Sequence, residues 1–272
     1  MGKFTVIPQD TFEGLQLDAG VLLRNFNPDQ PIEPLDSDII CATTGGIQAS
    51  CTPTFSDQGE DIDNVPLNMK ELKHLDSWDC KLSTTSLGTK PALIKMALGC
   101  ADIDTENSSK IIPRADLAQT DFANLWWVGD RADGGYVAIQ IKNALATSGF
   151  SIQTTKNGKG QIAIELTGHV SINAQKEVPM VFYSADPSEG EYHRITQQLY
   201  HVTSTIAATS IEDATELTGT LTAEDTYAIE NVTVLMGGED ITDSAYTALS
   251  GAISIASVTD DVTIIATAVA GA

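Results

Sequence analysis

The stretch QIAIELTGHVSI, Gln161 to Ile172, decides how the chain is read. Ile162, Ile164, Leu166, Val170 and Ile172 fall on one parity; Gln161, Glu165, Thr167, His169 and Ser171 fall on the other, with small Ala163 among them. Period-two alternation is the mark of a half-buried strand. A run of about a dozen residues is roughly twice the usual strand length. The spacing therefore predicts one long strand over 161–172, apolar toward a core and polar outward. Gly168 interrupts it and marks a bulge or a close backbone approach. Just upstream, FSIQTTKNGKG carries Asn157-Gly158, the dipeptide favoured in type I′ hairpin turns, so a hairpin is expected there.

Working outward, DCKLSTTSLG also alternates and ends at Gly88. LWWVGDRADGGYVAIQIKNA reads as two strands about an Asp-Gly-Gly turn. One segment departs from the β pattern. In TKPALIKMALGCA, Thr89 is an N-cap candidate, Pro91 suits a first helical turn, Leu93, Ile94, Ala97 and Leu98 recur at helical spacing, and Gly99 is a stop. The polar stretch from Asp102 to Thr120 reads as a loop.

After a polar Pro- and Gly-containing segment, SADPSEGEY, the composition changes. All 15 Lys and Arg lie at or before Arg194, and only acids follow, from Glu212 to Asp261. Such asymmetry separates domains. The division expected is a β domain over 1–183, a linker over 184–192 and a second β domain over 193–272. The last part is rich in Thr, Val and Ile. AIENVTVLMGGEDIT gives a strand and a Gly-Gly turn, and GAISIASVTDDVTIIATAVA gives two more strands about Asp260-Asp261. Short strands with frequent turns suit a small immunoglobulin-like sandwich, here without cysteines.

The chain has 272 residues, 42% hydrophobic content and a formal net charge of -22. That is enough apolar material for two cores. So negative a surface repels phosphates and excludes tight nucleic-acid binding. The opening MGKFTVIPQD has one Lys and no apolar run, so no secretory leader is expected. No apolar stretch has the length of a membrane span. Cys41, Cys51, Cys80 and Cys100 form no CxxC pair and no ligand-like spacing with the histidines, and are read as small buried hydrophobes.

The chemistry-bearing patterns are weak. DQGEDIDN (57–64) gathers acids, but Gly59 stands where a calcium loop wants an oxygen ligand, so it reads as a solvated acidic loop. GGED (237–240), DGG (133–135) and TTGG (43–46) read as turns. No GxSxG is present, and His169 has no partner pattern that would make it catalytic. No enzyme, cofactor or metal site is expected. Adjacent Trp126 and Trp127 point to opposite faces of a strand, one to the core and the other to a candidate subunit contact.

The ordered set LQLDAGVLL, TTGGIQAS, DQGEDIDNVP, KELKHLDSWD, DFANLWWVGDRADGGYVAIQIKNALATSGF and GQIAIELTGHVS, over Thr11 to Tyr183, resembles the major tail tube proteins of phages with long non-contractile tails. TYAIENVTVLMGGEDIT and ISIASVTDDVTIIATA resemble bacterial immunoglobulin-like repeats, with Asp260 where those repeats often have Gly. The resemblance implies a mainly β chain: a tail-tube-type β-sandwich or barrel with one flanking α-helix, then an Ig-like β-sandwich. It implies a virion protein that forms stacked hexameric rings around the path of double-stranded DNA, which passes without specific binding. Implied partners are further copies, the tape measure, distal tail and terminator proteins, and host surface glycans through the Ig-like part. Gln161, Glu165, Thr167 and His169 are then candidates for the lumen or interface. The alternatives are a bacterial surface adhesion protein with an Ig-like module, which calls for a leader and an anchor, and an enzyme with a carbohydrate-binding tail, which calls for paired carboxylates in a cleft.

Overall fold

A computed structural model describes residues 7–12, 14–187 and 191–270. The first residues, Met1 to Val6, and part of the expected linker, Ser188 to Gly190, lie outside the described residues. The chain is mainly β and divides into two units. The first unit comprises 1–26 and 34–187, and the second 27–33 and 188–272.

In the first unit the strands are β1 (Val21–Leu23), β2 (Thr43–Asp57) and β3 (Lys73–Ser86), then helix α1 (Pro91–Leu98), a small hairpin of β4 (Ala101–Ile103) and β5 (Ile111–Pro113), and β6 (Ala123–Asp130), β7 (Tyr136–Ala146), β8 (Ile152–Gln153), β9 (Gln161–Thr167) and β10 (Met180–Ala185). One antiparallel sheet runs β1-β6-β7-β9-β3-β2, with β10 also on β7 and β8 on β9. Strand β7 serves two neighbourhoods. Its first half pairs with β6 and β10, while Leu145 and Ala146 pair with β9. Asn143, at φ 47, marks the bend between the halves. The core combines Leu82 from β3, Ile139 and Ile141 from β7, and Ile162, Ile164 and Leu166 from β9. Leu93 and Ala97 of α1 close it, four residues apart on one helix face.

Several expectations change. Strand β9 ends at Thr167, not Ile172; Val170 and Ile172 are exposed and Ile172–Ala174 is a short 3-10 turn. Gly168 explains the stop. Its N–H bonds to Cys80 O at 2.9 Å, and a Cβ there would meet Pro179 O at 3.0 Å. The hairpin at Asn157 exists, with Ile152 opposite Ile162, but its loop is longer than a two-residue turn. Asn157 alone takes positive φ (63°) and Gly158 N–H bonds Thr155 O, the pattern of a type II rather than a type I′ turn. Helix α1 begins at Pro91 with Lys90, not Thr89, in the cap position and no side-chain cap bond. Part of the 102–120 loop is the β4–β5 hairpin. TTGG (43–46) opens β2, where Gly45 and Gly46 take positive φ at a bulge instead of making a turn.

The second unit holds β11 (Tyr192–Tyr200), β12 (Val202–Ser204), β13 (Ser210–Glu212), β14 (Leu217–Ala223), β15 (Tyr227–Met236), β16 (Glu239–Asp240), helix α2 (Thr242–Ala245), β17 (Tyr246–Thr247), β18 (Ala252–Ile255) and β19 (Val262–Ala270). They form two sheets, β13-β11-β19-β15-β16 and β12-β14-β18-β17. Among the described residues, only β11 and β19 run parallel. Val234, Ile264 and Ala266 of one sheet meet Leu217, Leu221 and Ile253 of the other in one core, so this unit is a two-sheet sandwich. Residues 27–33 belong to it, a feature without a sequence signal: Gln30 accepts from the Ser210 hydroxyl, and Glu33 O accepts from Arg194. At the expected linker, Ser184 and Ala185 are still strand, and Tyr192 already opens β11.

Candidate assembly surface

The longest ribbon is not the one over 161–172 but β2 with β3. They pair from Thr43↔Ser86 outward to Asp57↔Lys73. Strand β9 covers only the inner part of β3, Lys81 to Ser86. Beyond that point the two strands leave the sheet as an arm. The arm part of β3, Lys73 to Asp79, is exposed along its whole length, and β2 is an edge strand throughout. Unpaired edges of this kind invite pairing with another chain. Pro53 sits on one, as edge strands allow.

The two faces of the ribbon differ. Ala49/Leu82 and Cys51/Cys80 are successive cross-strand pairs on the core-facing side. The same side continues outward as Pro53/Trp78 and, past the bulge that leaves Asp76 unpaired, as Phe55/Leu75. Inside the unit this stripe is fully buried at Cys80 and Leu82, but farther out Trp78 is 38% exposed, Leu75 42% and Phe55 53%. The alternation that builds the core thus runs past the last residue that covers it. At the tip, Ile62 and Leu67 are also exposed, and a cavity of about 490 Å³ opens between Phe55, Leu67, Asn68 and Lys73.

The opposite face is polar. Ser50, Thr52 and Thr54 on β2 lie across from Lys81, Asp79 and Ser77 on β3. It joins the outer face of β9, where Ser83 pairs with Glu165 and Lys81 with Thr167. The single cation there, Lys81, sits 3.5 Å from Asp79 and 3.7 Å from Glu165, so this wall is net negative among these side chains.

The arm is ordered by local bonds, since it has little core. The Ser56 hydroxyl donates to Asp76 at 2.8 Å. The Asp57 carboxylate accepts the N–H groups of Gly59 (3.0 Å) and Asn68 (2.9 Å), and Lys73 donates to the Asn68 side chain. Those backbone donors hold the Asp57 carboxyl below its ordinary value. Asp57, the first acid of DQGEDIDN, therefore serves as a turn acceptor at the tip. Gly59 is buried, and a Cβ there would press on Leu72 at 2.7 Å.

The other singled-out residues separate. Gln161, Glu165 and Thr167 share the outer face of β9, with Ile162, Ile164 and Leu166 buried behind them. His169 does not share that face. Beyond the strand end, its Nδ1 contacts Asn143 O at 3.1 Å and its ring stands edge-on to Phe122 at 5.2 Å. Trp126 is core, against Phe26 and Tyr183. Trp127 packs on the main cluster and its indole N–H donates to Ala19 O at 3.0 Å, so neither is an exposed anchor. The exposed tryptophan is Trp78, which sequence reading passed over. Its signal was available: Trp78 lies in phase with Cys80 and Leu82.

In the second unit, His193, Asp260 and Asp261 each offer a metal-ligating atom within 4.8 Å of the others. His193 Nε2 contacts Asp213 at 2.8 Å, and Arg194 N–H donates to Asp261, so the polar atoms here already have protein partners. Residues so far apart in the chain leave no motif. Among the described residues no helix is long and apolar enough to cross a membrane. No family model matches the chain, and no curated protein matches it.

Proposed function

We propose that the chain is a structural subunit that assembles with copies of itself, through the β2–β3 arm, into the tube of a phage tail. One observation carries the reading: an apolar stripe continuous with the subunit's own core extends along the arm and stays exposed among the described residues of the unit. Burying such a stripe favours association, and open strand edges supply backbone groups for a neighbour to pair with. A second copy fits because it brings the same alternation and edge, so each subunit can give and receive one contact. Heterologous contacts of this type generate a ring where the rotation between neighbours closes on itself, and an open filament where it does not.

In this reading the polar face of β2, β3 and β9, with Glu165, Asp79 and the neutralised Lys81, lines the passage. Phosphates meet few free cations there, so DNA releases few counterions to the wall and is not held. The mutual repulsion keeps it mobile. The second unit serves as an Ig-like outer decoration that touches host glycans and is not needed for the tube. The resemblance of residues 11–183 to tail tube proteins supports hexameric rings and a place in the virion.

Negative-stain electron microscopy of the concentrated purified chain tests this. Rings or hollow rods are expected, and they should vanish when the arm is cut back by replacing residues 53–78 with a short Asn-Gly turn. Monodisperse single particles at every concentration, with the arm intact, would overturn the reading.

A further inference from the structure

The arm carries a feature that the assembly reading does not use. Cys51 and Cys80, 29 residues apart in sequence, are directly opposed in the β2–β3 register, and their sulfurs lie 3.0 Å apart. They stand where the ribbon leaves the core. Ala49/Leu82 are the next pair inward and Pro53/Trp78 the next outward. Cys80 is fully buried and Cys51 half-buried against it. Cys41, which shares a hydrogen bond with the Ser86 side chain, and Cys100 are both partly open.

We propose that Cys51 and Cys80 are an oxidation site, forming a cross-strand disulfide that clamps the two strands at the root of the arm. Directly paired strand residues place their Cβ atoms about 4.5–5.5 Å apart, near the separation a disulfide spans. Closing from contact to a bond of about 2.05 Å takes roughly 1 Å of movement, shared by two side chains that can both rotate. The strands are already held by ladder bonds on either side, so no backbone search is required.

The oxidant can be a small disulfide such as oxidised glutathione. The more accessible Cys51 thiolate attacks one of its sulfurs, forming a Cys51–glutathione mixed disulfide and releasing one glutathione thiolate. Cys80, on losing its proton, attacks Cys51 Sγ and expels the second. Two protein thiols lose two electrons and two protons; one oxidised glutathione becomes two reduced ones. Burial first, and then the neighbouring Cys51, push the Cys80 thiol up to about 12. The second step therefore quickens as pH rises. In a reducing medium the pair stays as thiols and the arm is held by hydrogen bonds alone. In an oxidising one its root is covalently fixed.

The experiment uses the full chain, equilibrated with oxidised glutathione in excess, then denatured, alkylated and weighed. Free thiols should fall from four to two, peptide mapping should join Cys51 to Cys80, and dithiothreitol should restore four. Amide exchange in 52–57 and 73–79 should slow about tenfold or more on oxidation. Cys51→Ser should retain three free thiols. The Cys41→Ser/Cys100→Ser double variant leaves the opposed pair untouched and should go from two free thiols to none. Four free thiols after oxidation, two that persist in the double variant, or a bridge joining any other pair would overturn the proposal. The outcome is independent of whether tubes form.

Discussion

Replacing Phe55 and Trp78 together by Thr separates what the apolar stripe does for the subunit from what it does between subunits. Thr keeps strand propensity, so the ribbon itself should persist. Phe55 is 53% and Trp78 38% exposed, so together they leave open roughly the area of one large aromatic side chain, on the order of 200 Å². At about 25 cal/mol per Å², complete coverage by a neighbour would contribute about 5 kcal/mol per contact. With half of that area covered, the loss is about 2.5 kcal/mol, or roughly sixtyfold in the association constant. Within the subunit the change weakens two cross-strand pairs, Pro53/Trp78 and Phe55/Leu75, and gives up part of the covered half of each ring, at a cost of about 2–3 kcal/mol in all once the coverage kept by Thr is counted. The unfolding temperature should therefore drop by about 4–12 °C with the cooperative transition kept. Sedimentation velocity across a concentration series, beside a thermal melt, reads both quantities. Unchanged association would refute the reasoning. So would a collapse in the melt, which would make these residues core after all.

Leu166→Ala, at a fully buried position of β9, should cost about 3 kcal/mol and shift the first unit's melting transition. Ile264→Ala should do the same in the second unit's transition alone, seen by calorimetry. Gly168→Ala places a methyl 3.0 Å from Pro179 O and 3.1 Å from Ile141, so a loss of about 1–2 kcal/mol in a denaturant titration is expected. Asp121 gives an acid-side prediction. Burial acts to raise its carboxyl, but the Ala118 N–H bond and the Arg114 guanidinium outweigh that and leave it lowered. A depressed folded-state value means stability that is present above the unfolded carboxyl value, about 3.9, and is lost as pH falls through the folded one. Asp121→Asn should therefore be less stable than the parent at neutral pH, and the gap should narrow in melts taken below about pH 4.

The sequence carried the mainly β character, the hairpin at Asp133-Gly134, the helix opening at Pro91 and the sandwich of the second unit, because each rests on local periodicity and turn chemistry. It misplaced the long ribbon. Val170 and Ile172 continue the parity of Leu166 past Gly168, and parity alone cannot register that Pro179 crowds the backbone there. Strand β2 was hidden because Gly45, Gly46 and Pro53 look like punctuation, although the glycines shape a bulge and the proline lies on an edge. The clearest loss is Trp78. Its phase with Cys80 and Leu82 was legible, but that the covering strand stops at Lys81 is a tertiary fact. For the same reason His169 was grouped with Glu165 though the chain turns away between them. The opposition of Cys51 and Cys80 depends on a register that no spacing rule gives.

Backbone amide exchange along the arm, followed as the protein is concentrated, tests the central claim most directly. The outward amides of 73–79 and of edge strand β2 should exchange fast in dilute solution and slow by orders of magnitude in the concentrated sample, while buried β9 stays protected in both. Fast exchange along the arm at every concentration, with no partner copy closing its edges, would contradict the account.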